Sequence, residues 1–162
     1  MTKYYHGTTA DKVTLIEACG VLKPYGSVGV SKASGGLTTE KGLIWLTRNK
    51  CIAEYYAMGG SQTIEVSKGK IFSVRVPSYF RIIDRHQMLT MDQIAILNKM
   101  VPDYKQLDIG DTLSTFECRT NGFFGLKEAL KSLGFDAVSF DDNKQLGFLI
   151  DSLEIENSDV ID

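Results

Sequence analysis

The stretch Gly134-Phe135-Asp136-Ala137-Val138-Ser139-Phe140-Asp141-Asp142-Asn143-Lys144-Gln145-Leu146-Gly147-Phe148-Leu149-Ile150 sets a helix stop, two apolar runs and a polar turn side by side. Gly134 is placed to end a helix predicted from roughly Phe124 to Leu133. Ala137 to Asp141 and Phe148 to Ile150 read as strands, with Asp142-Asn143-Lys144 supplying turn chemistry between them. Strands predicted in both halves of the chain, with helices interspersed, then point to an α+β domain with a mostly antiparallel sheet.

Working outward, Lys3 to His6 reads as a first strand. A helix from about Asp11 to Cys19 follows, stopped by Gly20. Lys23 to Gly42 is rich in Gly, Ser and Thr, and a loop of that length inside a compact domain is usually functional. Leu43 to Thr47 is a short apolar strand, and Asn49 can cap a helix that carries Cys51, Ala53, Tyr55, Tyr56 and Met58. Gln62 to Val66 and Lys70 to Val76 are strand candidates joined by Lys68-Gly69, and Tyr79 to Ile83 is extended. Thr90-Met91-Asp92-Gln93 matches a capping box that opens a helix through about Met100, ended by Pro102. Asp103 to Asn121 is polar and carries no clear period.

With 162 residues the chain is sized for one domain, residues 1–162, which buries roughly 70% of its unfolded surface without a metal or disulfide staple. Hydrophobic residues at 43% and charged residues at 23% exclude a wholly disordered chain. Eighteen basic against twenty acidic residues leave a formal charge of −2, which argues against a broad basic face holding nucleic acid but leaves local contact open. No run of about 18 apolar residues occurs, so no membrane span is predicted. The opening Met1-Thr2-Lys3-Tyr4-Tyr5-His6 lacks the apolar core of a secretory signal. Cys19, Cys51 and Cys118 are odd in number and widely spaced, so they are expected to be reduced, mostly buried thiols of a cytoplasmic protein, with no metal site.

Four features could carry chemistry. His6-Gly7-Thr8 offers an imidazole edge beside a glycine that lets a ligand approach the backbone; a polar turn satisfying its own main chain is the alternative. Trp45 on a strand and Tyr56 on the next helix present two flat faces for a planar heterocycle, or are plain core aromatics. Gly26 to Gly36 reads as a flap over a ligand or as a solvated loop, with neither GxGxxG nor a GxxxxGK phosphate cradle present. Asp141 and Asp142 would repel each other if both were buried, so one is expected to be solvated or paired, in a site or simply in a turn.

In their order and spacing these features resemble the ADP-ribosyltransferase fold. The resemblance rests on Tyr5-His6-Gly7-Thr8, Leu43 to Thr47, Ala53-Glu54-Tyr55-Tyr56-Ala57, Gly134 to Asp142 and Gly147-Phe148-Leu149-Ile150-Asp151. It spans nearly the whole chain apart from Ile83 to Asn121. It implies a mostly antiparallel split sheet and NAD as cosubstrate. His6 would bond the adenosine ribose, Gly7 would place a backbone group on the nicotinamide amide with Thr8 beside it, and Tyr56 would stack on the nicotinamide ring. Trp45 stands where the family commonly has tyrosine, and Ala53 where many members have serine. The family's catalytic glutamate falls at about Gln145 or Leu146, neither of which is a carboxylate. Small phage-encoded members, including anti-CRISPR ADP-ribosyltransferases with an anti-defence role, look similar in the Gly-aromatic-Asp-Ala-Val…Asp-Asp arrangement and use an aspartate there. That likeness makes Asp142 the expected acid, with Asp141 second, in mono-ADP-ribosyl transfer to a protein side chain. A nucleic-acid base as acceptor, NAD hydrolysis, and a non-catalytic module binding NAD or a protein partner are the alternatives.

Overall fold

The computed structural model describes residues 2–24, 42–58, 69–120, 126–140 and 145–160. The first half runs β1 (Thr2–Thr8), α1 (Ala10–Cys19), β2 (Val21–Leu22), β3 (Ile44–Thr47), α2 (Lys50–Ala57) and β4 (Lys70–Val76). The second half runs β5 (Ile82–Asp84), α3 (Met91–Asn98), a 3₁₀ turn at Asp103–Lys105, α4 (Leu113–Thr120), α5 (Leu126–Leu133), β6 (Ala137–Phe140), β7 (Gln145–Phe148), β8 (Leu153–Glu154) and β9 (Asn157–Val160). Among the described residues seven strands form one sheet in the order β5-β6-β7-β3-β1-β4-β9, and β2 pairs with β8 in a separate ribbon. The fold is therefore α+β and mostly antiparallel. The exception is the parallel β5–β6 pair, which needs a long crossover; α3, α4 and α5 supply it.

Local signals set the helix ends. Gly20 takes φ +71° and donates its N–H to the Ile16 carbonyl, and Gly134 takes φ +75° after α5. The Asn49 side chain accepts from the Cys51 N–H at 2.9 Å. Thr90 and Gln93 complete both halves of their capping box. The α3 helix ends at Asn98 rather than Met100 because its last turn tightens, with Met100 N–H reaching Leu97 O at 2.9 Å.

The strands alternate between two differently covered faces. One face carries Tyr4, Ile44, Leu46, Phe72, Val74, Leu146 and Phe148 under Val13 of α1 and under the β2–β8 ribbon. The other is covered in two separate places. Ala53 and Ala57 of α2 pack on Ile71 and Tyr5. Ile94, Leu97, Leu113, Phe116, Leu126 and Leu130 of α3 to α5 pack on Leu43, Ile83 and Val138. Burying each large side chain contributes roughly 1.5–3 kcal/mol before the entropy of ordering it.

Several expectations are corrected. The second hairpin strand begins at Gln145 and ends at Phe148 instead of running from Phe148 to Ile150, because Gln145 and Leu146 find partners in Thr47 and Leu46 of β3. The unassigned Asp103 to Asn121 region holds the 3₁₀ turn and α4, and the Tyr79 to Ile83 stretch pairs only from Ile82. The three cysteines are free but exposed rather than buried. Cys118 is on the outward side of α4, whose inward side is Leu113, Phe116, Glu117 and Thr120. The Gly26 to Gly36 flap, the Gln62 to Val66 strand, and the Asp141-Asp142-Asn143-Lys144 turn lie outside the described residues.

α2 approaches the sheet backbone closely at Gly7. A Cβ built there would lie 1.7 Å from the Ala53 carbonyl oxygen, so α2 reaches β1 only because residue 7 has no side chain. Gly7→Ala is expected to cost about 3 kcal/mol, read as a lower midpoint in denaturant unfolding. An unchanged midpoint would mean that α2 does not dock there.

Candidate functional site

β1 pairs with β4 over its full length, from Thr2↔Val76 to Thr8↔Lys70, yet it meets β3 at one pair, Tyr5↔Thr47. Among the described residues the sheet is thus two ladders, β9-β4-β1 and β3-β7-β6-β5, whose strands pair at a single point. Beyond that point the Trp45 carbonyl is reached by a side chain: His6 Nδ1 lies 2.9 Å from it. Strand alternation assigns His6 to the same face as Tyr4, but its ring turns into the split between the ladders.

A carbonyl oxygen only accepts, so Nδ1 carries the hydrogen of this bond. Burial holds the His6 pKa below its ordinary 6.5, helped by the positive charge of Lys12 and opposed by the bond to Trp45. The imidazole is consequently neutral near pH 7, and Nε2 keeps a lone pair that can accept from a hydroxyl.

On the α2 side of the sheet, register places Trp45 opposite Gly147 and Thr47 opposite Gln145. These four residues form a strip of β3 and β7 between the α2 cover and the α3–α5 cover. Trp45 packs at the edge of the larger cluster, with its indole over Gly147: a Cβ on Gly147 would sit 3.0 Å from Trp45 Cη2. Tyr56 reaches over the strip from α2. Its ring makes an edge contact with Tyr55 at 5.5 Å, and its hydroxyl lies 3.3 Å from Gln145 Nε2 and 3.5 Å from Oε1.

The sequence-predicted residues are thus gathered unevenly. His6 and Trp45 are joined through a main-chain carbonyl, and Tyr56 is brought to Gln145. Gly7 spends its missing side chain on α2, and Thr8 is buried at 7% exposure. Ala53 is fully buried between α2 and β1. Asp141 and Asp142 lie outside the described residues; the strand ends that flank them, Phe140 and Gln145, face each other in register. Gln145 as the partner of Tyr56 is not legible in the sequence, since it depends on strand register across the sheet.

Asp136, within the motif that carries the resemblance, accepts the Arg81 N–H at 2.8 Å, while the Arg81 guanidinium lies over Phe135. His86 is exposed and has its Nδ1 3.2 Å from Ser114 Oγ. Among the described residues no three His, Cys, Asp or Glu side chains gather to hold a metal, and no helix is long and apolar enough to cross a membrane. No protein-family profile, curated protein or solved structure matches the chain.

The His6 environment sets a pH dependence. The folded chain takes up the His6 proton at lower pH than the unfolded chain does, so the unfolded state binds more protons in the window between. The His6 contribution to stability is complete above the ordinary value of 6.5 and declines as the pH falls from there to the lowered folded-state pKa. Unfolding free energies measured across this range should slope less in His6→Gln than in wild type. Equal slopes would show that His6 is not held neutral.

Proposed function

We propose that the chain is an NAD-dependent mono-ADP-ribosyltransferase that modifies a protein side chain. The observation that carries this reading is the placement of His6 where β1 and β3 part, with Nδ1 2.9 Å from the Trp45 carbonyl oxygen, and of Tyr56 of α2 over the β3–β7 strip that bears Trp45. Such an arrangement offers an acceptor nitrogen for a ribose hydroxyl and aromatic faces for a nicotinamide ring. It accords with the sequence resemblance to the ADP-ribosyltransferase fold, in which these residues have those tasks.

In the reaction the bond from nicotinamide nitrogen to the anomeric carbon breaks, and nicotinamide leaves as a neutral molecule with the bonding electrons. Positive charge grows on the ribose, as in glycoside cleavage. The acceptor's nucleophile then bonds to the anomeric carbon and loses its proton. In this reading Asp142 is the carboxylate that stabilises the charge and draws off that proton, with Asp141 as its substitute. Asp142→Ala is expected to lower nicotinamide release about 10²- to 10⁴-fold, with NAD affinity largely retained in calorimetric titration. Full release by the variant would remove Asp142 from the chemistry. Nicotinamide release without any added acceptor would favour NAD hydrolysis, and labelling of an oligonucleotide would favour a nucleic-acid base.

One observation favours a second reading. Gln145 opens β7 where the resemblance places a glutamate, and an amide cannot act as a carboxylate. A module that binds NAD without consuming it would show calorimetric binding and no nicotinamide in mass spectrometry. Gln145→Glu separates the two: in a binding module made inactive by this exchange alone, it should bring nicotinamide release above background.

A further inference from the structure

Tyr56 stands on a helix face that leaves it 42% exposed, and its ring neighbour Tyr55 is 50% exposed. Packing alone leaves a phenol in such a place free to change rotamer. A second tether comes from a different ladder of the sheet. Gln145 is held by strand pairing on both sides, to Thr47 of β3 and to Phe140 of β6, so its backbone is a fixed point. Its amide lies within 3.3–3.5 Å of the Tyr56 hydroxyl through either polar atom. An amide both donates and accepts, so it bonds a phenol in either orientation. The distances are at the long end for a hydrogen bond, which makes this a weak contact.

We propose that Gln145 is a positioning residue that acts through Tyr56, holding its ring as the wall of the nicotinamide subsite. This role rests on the NAD reading above and adds to it the group that sets the geometry of the ring. It also gives Gln145 a task at a place where it cannot serve as the catalytic acid. The tether crosses the single β1–β3 junction: α2 is anchored on β1 at Gly7, whereas Gln145 belongs to β7. The wall of the subsite is therefore set by both ladders.

The test is a double-mutant cycle with Gln145→Ala, Tyr56→Phe and the double variant, titrated with NAD and with ADP-ribose, which lacks the nicotinamide. Each single variant is expected to bind NAD roughly three- to tenfold more weakly, to bind ADP-ribose as wild type does, and to melt at the wild-type temperature. The double variant should be no weaker than either single one. Gln145→Glu, which keeps an acceptor for the hydroxyl, should restore most of the NAD affinity. Additive losses would overturn the proposal by showing that Gln145 acts on its own account, and so would an equal loss for ADP-ribose. Unchanged NAD affinity in Gln145→Ala would overturn it while leaving the NAD reading standing. Failure of the wild type to bind NAD would overturn both.

Discussion

Among the described residues the Tyr5↔Thr47 pair is the one strand pairing between the two ladders, and the candidate site depends on it. A sheet paired along its full length would satisfy the Trp45 carbonyl with a main-chain donor and leave no room between β1 and β3. Because the strands part after one pair, that carbonyl takes the His6 ring instead. The split thus fixes a histidine tautomer and opens a polar edge in the middle of a largely apolar sheet. Side-chain contacts also span the junction: His6 to the Trp45 carbonyl, Tyr56 to Gln145, the Tyr4 ring against Phe148 at 5.4 Å, and Arg48 Nη2 to the Tyr4 hydroxyl at 3.0 Å.

Keeping the ladders in place falls to the covers on the same face. α2 is held close by the backbone approach at Gly7, where no other residue type fits without displacing the helix. At the far end, Glu117 of α4 is 7% exposed and meets Arg85 through two contacts, one of them 2.6 Å long. A carboxylate so far from water is tolerable only when paired in this way. The same segment is stitched to the sheet by the Arg85 N–H on the Ser139 carbonyl and by the Ser114 N–H on the Arg85 carbonyl. Between these covers the β3–β7 strip is the part of this face that the helical clusters leave between them, which is why the aromatic and polar side chains collect there.

How much of this could be read from the sequence follows the range of the interaction. Gly20, Asn49, the Thr90–Gln93 box and Gly134 were legible because a cap is satisfied within a few residues of itself. The α4 helix was not, because one of its inward positions is Glu117, which reads as a solvated residue until Arg85 is seen beside it. β8 and β9 are not legible in the sequence for a related reason. Edge strands such as Asn157–Val160 are polar and short, and what makes them strands is β4 next to them. The three cysteines were expected inside because a free thiol is usually buried, but each falls on a helix position that faces water.

At the candidate site the division is the same. The sequence by itself determined which chemical groups are present: an imidazole beside a glycine, an indole, a phenol on the following helix, and an amide where a glutamate was expected. It also determined the α+β class, through caps, turns and strand-forming runs that act locally. Only the tertiary structure decided that β1 leaves β3 after one pair, that Gly7 serves α2, and that Tyr56 faces Gln145 across the junction. The physical reason is that a strand's neighbours and register are set by contacts between residues tens of positions apart, and a slip of one residue would exchange the two faces.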